Sequence, residues 1–249
     1  MNSTLIFLHG YALDNRIWYS ISPLDLDMPS VFIDLDGYGK STHKAFTSLK
    51  DQAQSLIDQL QEKALSNLII IGHSMGGYLA LEMLKLDDRF IQGIILLNSH
   101  PFADSPEKKD HRNRMIDHLQ KNDASAYKKF FAQSLFSSDF RQIQFDMFKR
   151  VLEIIDDQPV DSMIRSLKAM RDRESYAELL TNGTTPIMII QGEKDEIIPS
   201  QLIDQAASLP QVSFCHYIDS GSHMGMIENP ELIVPVSYTH LTLPTTPYV

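Results

Sequence analysis

Three short stretches of this chain hold residues able to carry out nucleophilic chemistry. GHSMGG (72–77) sets Ser74 between His73 and Met75, with glycines on both sides, where the apolar run LIIIG gives way to YLALEMLKL. GEKDEIIP (192–199) follows the apolar run PIMIIQ and presents Asp195. GSHMGMIENP (221–230) follows VSFCHYI and presents His223. Serine is a poor nucleophile until a base takes its proton and donors hold the oxyanion it creates. A sharp strand-to-helix turn serves both needs, because it lifts the hydroxyl above the strand ends and sets the next backbone N–H and a helix N-terminus beside the developing charge. Such a turn requires small neighbours, which Gly72 and Gly76 supply, while Gly77 lets the helix pack closely on the strand. The order serine, acid, histidine then makes Asp195 the expected acid and His223 the expected base.

Each of these residues has rivals. Glu193 and Glu196 flank Asp195 on one turn, where neighbours point elsewhere, and are expected to be solvated. Asp219 lies too near His223 in sequence for a separate loop to orient the imidazole. Among nine histidines, His73 adjoins the serine and is poorly placed to turn back to it. His9 and His100 end strands and are read as structural, His216 is mid-strand, and His111 and His118 lie on a charged helix. A second loop, LHGYALDNRIW (8–18), supplies an oxyanion donor: Gly10 permits a tight backbone after its strand and leaves the Tyr11 N–H free to act with that of Met75. DLDGYGKS (34–41) contains G-x-G but has neither P-loop spacing nor a third glycine, so it reads as a structural turn. No His/Asp/Glu cluster has metal-ligand spacing, and neither a metal nor a cofactor is expected.

The elements that must position these residues are legible as short apolar runs: TLIFL (4–8), VFID (31–34), LIIIG (68–72), GIILLN (93–98), PIMIIQ (186–191) and VSFCHYI (212–218). They are nearly continuous in apolar residues rather than alternating, as strands are when helices cover both faces of a sheet. Residues 48–65 form an amphipathic helix with Leu49, Ala53, Leu56, Ile57 and Leu60 on one stripe, and Ser48 with Asp51 makes a capping box. Residues 78–86 form a second, more buried helix. The alternation predicts an α/β fold with a doubly wound, mostly parallel sheet. Residues 101–180 interrupt it. All 11 glycines lie outside this segment, its acidic and basic residues are equal in number, and helical periodicity runs through it. It reads as about four helices inserted between two strands, giving a core of 1–100 and 181–235 with an all-helical cap of 101–180. Phe102, Phe130, Phe131, Phe136 and Met170 are its candidate pocket residues.

The chain has 249 residues and a net charge of −10. That balance argues against a nucleic-acid or anionic-membrane partner, both of which need clustered Lys and Arg. The single cysteine, Cys215, excludes an intramolecular disulfide and is expected as a buried apolar side chain in a strand. The N-terminal stretch has no basic segment of a signal peptide, and no run reaches the ~20 apolar residues of a membrane helix. The expectation is a cytoplasmic protein, monomer or homodimer, acting on a small-molecule acyl substrate. From Val236 the pattern breaks. VSYTHLTLPTT resembles the translation of a sequencing adaptor, so 236–249 are read as a non-native tail.

In order, LHGYALDNRIW, DLDGYGKS, GHSMGG, GEKDEIIP and GSHMGMIENP resemble the α/β-hydrolase fold superfamily over residues 4–235. Within it they are similar to the small capped carboxylesterase, enol-lactonase and C–C hydrolase group. The resemblance implies Ser74 as nucleophile, His223 as base, Asp195 as its orienter, Tyr11 and Met75 as backbone oxyanion donors, and 101–180 as the helical cap. Two departures bear on stability. The family usually begins with a hairpin before the strand that ends in His-Gly, and ends with a helix after the histidine loop. The reaction expected is ester hydrolysis through an acyl-enzyme. Lactone or C–C bond hydrolysis, or perhydrolysis, would use the same triad, and a non-catalytic ligand-binding protein would keep the fold.

Overall fold

The computed structural model describes residues 3–21, 28–209 and 211–233. Residues 236–249, read above as a non-native tail, lie outside them. Six strands, β1 (Thr4–Leu8), β2 (Ser30–Ile33), β3 (Leu68–His73), β4 (Ile91–Leu97), β5 (Ile187–Gly192) and β6 (Val212–Ile218), form one sheet in the order β2-β1-β3-β4-β5-β6. Every pairing is parallel. The six apolar runs are these strands, with ends displaced by no more than two residues.

The absence of alternation in the runs has a direct structural cause. Ile6, Leu8, Ile70, Ile94, Leu96 and Ile189 face one apolar cluster. The residues between them, Leu5, Phe7, Ile69, Ile71, Ile95, Leu97 and Ile190, face another. Both faces are covered, so both side-chain sets must be apolar. On the first face lie α1 (Leu49–Glu62) and α2 (Met75–Leu86). Ser48 caps α1 by accepting from the Asp51 N–H at 3.1 Å. The Asp51 carboxylate reaches back to the Thr47 N–H at 3.1 Å rather than closing a reciprocal box with Ser48. Helix α2 is buried along most of its length, as its continuous apolar run implies.

Between β4 and β5 the chain forms six helices rather than four: α3 (Pro106–Lys121), α4 (Ser125–Ser134), α5 (Ser138–Ile143), α6 (Phe145–Asp156), α7 (Val160–Arg171) and α8 (Ala177–Asn182). The two missed, α5 and α8, have six residues each, too few for a helical period to declare itself. Helix α3 packs on α7, and α4 on α6. Their apolar faces do not form a core of their own. Met163, Leu167 and Met170 join the first sheet cluster, and Phe136, Val151, Ile154 and Ile155 join the second. Two further helices follow β5 and β6: α9 (Ser200–Ala207) and α10 (Gly225–Glu228). Among the described residues no helix is long and apolar enough to cross a membrane.

Cys215 is half-buried against the first cluster rather than enclosed in it, and burial raises its thiol pKa.

Candidate active site

Strand order reverses between β1 and β3, since the chain lays β2 on one side of β1 and β3 on the other. In an open parallel sheet this opens a crevice beyond the C-terminal strand ends. Gly10 follows β1 and Ser74 follows β3, so both stand at the point of reversal.

Ser74 has φ 52° and ψ −114°, outside the ordinary helical and extended regions. Its backbone is tied on both sides. Its N–H donates to Leu97 O at 3.0 Å, and its carbonyl accepts from the Gly77 N–H at 3.0 Å and the Ser99 hydroxyl at 2.8 Å. The glycines around it are required by close approach. A Cβ on Gly72 would come within 2.5 Å of Gly76 O, and one on Gly76 would strike Leu8 O. The loop after β1 is equally close, since a Cβ on Gly10 would lie 3.2 Å from Ser74 Cβ and 2.8 Å from His73 Nδ1.

Asp195 and His223 meet, with His223 Nδ1 donating to Asp195 Oδ2 at 2.8 Å. The carboxylate is enclosed and richly donated to. Its Oδ2 also accepts from Asn98 Nδ2 at 2.8 Å and Gln191 Nε2 at 3.1 Å, and its Oδ1 from the N–H groups of Ile197 and Ile198. Burial raises the Asp195 pKa, but the charge and hydrogen bond of His223, with Asn98 and the Ile198 N–H, outweigh it and hold the group at about 2. The acid is therefore ionised across the working pH range, and the Nδ1–H tautomer of His223 leaves Nε2 with a free lone pair. Glu193, Glu196 and Asp219 are exposed.

His73 is where the sequence reading falls short. Its ring lies 4.9 Å from that of His223, centroid to centroid, and its Nε2 donates to His223 O at 2.9 Å. The residue before the serine therefore holds the loop that carries the imidazole. Asn98 and Gln191, both on Asp195, were also missed. Nothing in local spacing marks them, because their neighbours come from distant parts of the chain. His9 is structural: its Nε2 accepts from the Leu35 N–H at 3.0 Å, and its Nδ1 donates to Gly10 O at 2.9 Å. His100 is buried beside Tyr78 and accepts from the Phe102 N–H at 3.2 Å.

Tyr11 sends its side chain into the insertion, where its hydroxyl meets that of Tyr127 at 3.1 Å and its ring packs edge-on against Phe131 at 5.0 Å. Of the candidate lining residues, Phe136 and Met170 are buried in the core and Phe102 and Phe131 are half-buried. Phe130 is 68% exposed and faces away from any interior, so that assignment is corrected. The G-x-G loop is a turn: the Asp34 carboxylate accepts from the N–H groups of Asn15 and Lys40, and Gly37 and Gly39 have positive φ. A polar cavity of about 240 Å³ beside it is bounded by Asp14, Arg16, Asp34 and Gln158. Its carboxylates are already paired, Asp14 with Arg16 and Gln158. Among the described residues no group of three or more His, Cys, Asp or Glu could hold a metal ion.

Residues 5–236 match the model of the alpha/beta hydrolase family, and the chain belongs to that family. It is 23% identical to a pimeloyl-[acyl-carrier protein] methyl ester esterase of Vibrio vulnificus, over 91% of this chain and 89% of that protein. It is 26% identical to the karrikin insensitive 2 receptor IA of Petunia hybrida, over 96% of this chain and 90% of the receptor. Among solved structures, a thermophilic esterase from Thermogutta terrifontis superposes with a TM-score of 0.85 at 21% identity, covering 95% of this chain and 88% of that one.

Proposed function

We propose that the chain is a serine hydrolase of small carboxylic esters, with Ser74 as nucleophile, His223 as general base and Asp195 as the group that orients it. The observation that carries this reading is the pair of bonds at His223. Its ring is fixed by Asp195 at 2.8 Å, and its backbone is tied at 2.9 Å to His73, the immediate neighbour of Ser74. Ser74 Oγ attacks the ester carbonyl while His223 Nε2 takes its proton. The imidazolium, held by ionised Asp195, returns that proton to the leaving alcohol as the C–O bond breaks. Water then attacks the acyl-enzyme, giving a proton to Nε2; the Ser74 Oγ–acyl bond breaks as Nε2 returns that proton to Oγ, and the carboxylic acid leaves.

The oxyanion of each tetrahedral intermediate falls to the backbone N–H groups of Met75 and Tyr11. Met75 is the first residue of α2, where the helix dipole adds to its N–H. The Gly10 carbonyl is engaged by His9. In a planar trans peptide the N–H opposes the C=O, so the Tyr11 N–H turns the other way, and Gly10 itself stands against Ser74. The insertion 101–180 acts as a cap, because it contributes Tyr127 and Phe131 against Tyr11.

Hydrolysis of p-nitrophenyl acetate, butyrate and octanoate by the wild type beside Ser74→Ala tests the reading. Methyl esters of dicarboxylic acids belong in the same panel, since the Vibrio relative is named for a methyl ester. Activity in the wild type that falls by ~10³-fold or more in the variant is expected. Likeness to a receptor favours a second reading, a ligand sensor with little turnover. A melting shift with an ester or lactone that is never converted to product would favour that sensor over the hydrolase.

A further inference from the structure

The loop that carries His223 is held from beneath by the ends of two neighbouring strands. His73 ends β3 and Asn98 directly follows β4, and the two strands are paired there, His73 opposite Leu97. Each sends one fully buried side chain to a backbone carbonyl of the loop. Asn98 Nδ2 donates to Ser222 O at 3.1 Å, and His73 Nε2 donates to His223 O at 2.9 Å. These carbonyls are consecutive. The second proton of Asn98 Nδ2 goes to Asp195 Oδ2 at 2.8 Å.

The chemistry of the acceptors settles both donors. A carbonyl cannot donate, so His73 carries its proton on Nε2. Burial, with the nearby charge of His223, lowers the His73 pKa to about 3, and the ring stays neutral. Turning the Asn98 amide over would set Oδ1 against two oxygen acceptors, so its orientation is determined. The leftover atoms, His73 Nδ1 and Asn98 Oδ1, are buried without a hydrogen-bond partner among the described residues. Unpaired buried acceptors are costly, and they are retained here where each residue's donor side grips the loop.

We propose that Asn98 and His73 are positioning residues that clamp the consecutive carbonyls of Ser222 and His223 and so set the His223 ring between Asp195 and Ser74. The consequence for rate rests on the assignment of His223 as base; the clamp itself does not. The bond to Asp195 fixes one ring atom, about which the imidazole can still rock. Holding the backbone on both sides of the Cα removes that freedom, and angular error at a base is expensive in rate.

Two pairs of substitutions test it. His73→Gln keeps an amide donor near the Nε2 position, and His73→Met keeps the length without the donor. Asn98→Leu removes both of the Asn98 donors. His73→Asn, whose amide is too short to reach His223 O, replaces Met should that variant fail to fold by circular dichroism. The clamp predicts kcat lower by about 10- to 100-fold with KM little changed in His73→Met and Asn98→Leu, and most of kcat retained in His73→Gln. Independently of turnover, the proton NMR signal of His223 Nδ1–H, assigned by its loss in His223→Gln, exchanges with water about 10-fold faster once a clamp bond is gone. Wild-type kcat and exchange in His73→Met and Asn98→Leu would overturn the proposal, as would a His73→Gln variant as impaired as Met. If the wild type shows no Ser74-dependent hydrolysis, the proposed function fails, and the exchange rates still decide for or against the clamp.

Discussion

Ser74 shows what a single residue carries at this site. A non-glycine residue at φ 52° and ψ −114° stores strain of order 1–3 kcal/mol, and the bonds to Leu97, Gly77 and Ser99 hold it there. Glycine adopts such backbone freely. Ser74→Gly is therefore expected to raise stability by about 1 kcal/mol while abolishing hydrolysis, whereas Ser74→Ala loses activity without the gain. Midpoints of urea unfolding for the three proteins check this, and a Ser74→Gly variant no more stable than Ser74→Ala would refute the strain. Ser74, Asp195 and His223 were legible in the sequence because each sits in a local pattern of strand, turn and small residues. His73 and Asn98 were not, because their partners lie 150 and 124 residues away and no local pattern records such a contact.

Among the elements, the junctions between sheet and insertion hold a buried charge cluster. Asp104 accepts from Arg112 and, at 2.7 Å, from Arg173, whose guanidinium also donates to Phe102 O and Met170 O and lies 3.9 Å over the Tyr78 ring. All three side chains are less than a tenth exposed. Removing the one anion leaves two guanidinium groups without compensation, so Asp104→Asn is expected to cost about 3 kcal/mol. Asp88→Asn, at an exposed site just beyond the C-terminus of α2, should change stability by less than about 0.5 kcal/mol. Denaturant midpoints compare the two, and equal effects would show that the cluster contributes nothing to the junction. The long helices of the insertion were readable from their apolar period. The short α5 and α8 were not, and neither was the cluster, since Asp104 and Arg173 come together only when both ends of the insertion do.

The whole molecule carries a pH sensitivity that no one element shows. His9, His73 and His100 are buried and their pKa values lowered, first by desolvation, to about 3 for His73 and His100. Above the unfolded value of about 6.5 both states are neutral and these groups add nothing to the balance. As pH falls below it, the unfolded chain takes protons the native state refuses. Stability then drops by about 1.4 kcal/mol per pH unit for each of His73 and His100, until pH nears 3, and His9 acts in the same direction. Asp195 acts in a lower window: its lowered pKa stabilises the fold above about pH 4, and that contribution is lost as pH falls toward 2. Melting temperature is expected to decline from pH 6.5 downward, and His100→Phe should make the decline shallower by the share of one proton. A melting temperature flat to pH 4 would contradict the burial of neutral imidazoles.

By itself the sequence determined the sheet and the turn at Ser74, since short apolar runs set between helical patterns suit strands covered on both faces, and the glycines of GHSMGG suit a crowded strand-to-helix turn. It placed Asp195 and His223 in the loops that follow two of the strands. The tertiary structure alone decided what holds them: the strand order that reverses beside Ser74, the five donors on Asp195, the grip of His73 and Asn98 on the histidine loop, and the joining of the inserted helices to both apolar clusters. These are contacts between segments far apart in the chain, and the packing of one segment on another carries no signal in the spacing of either.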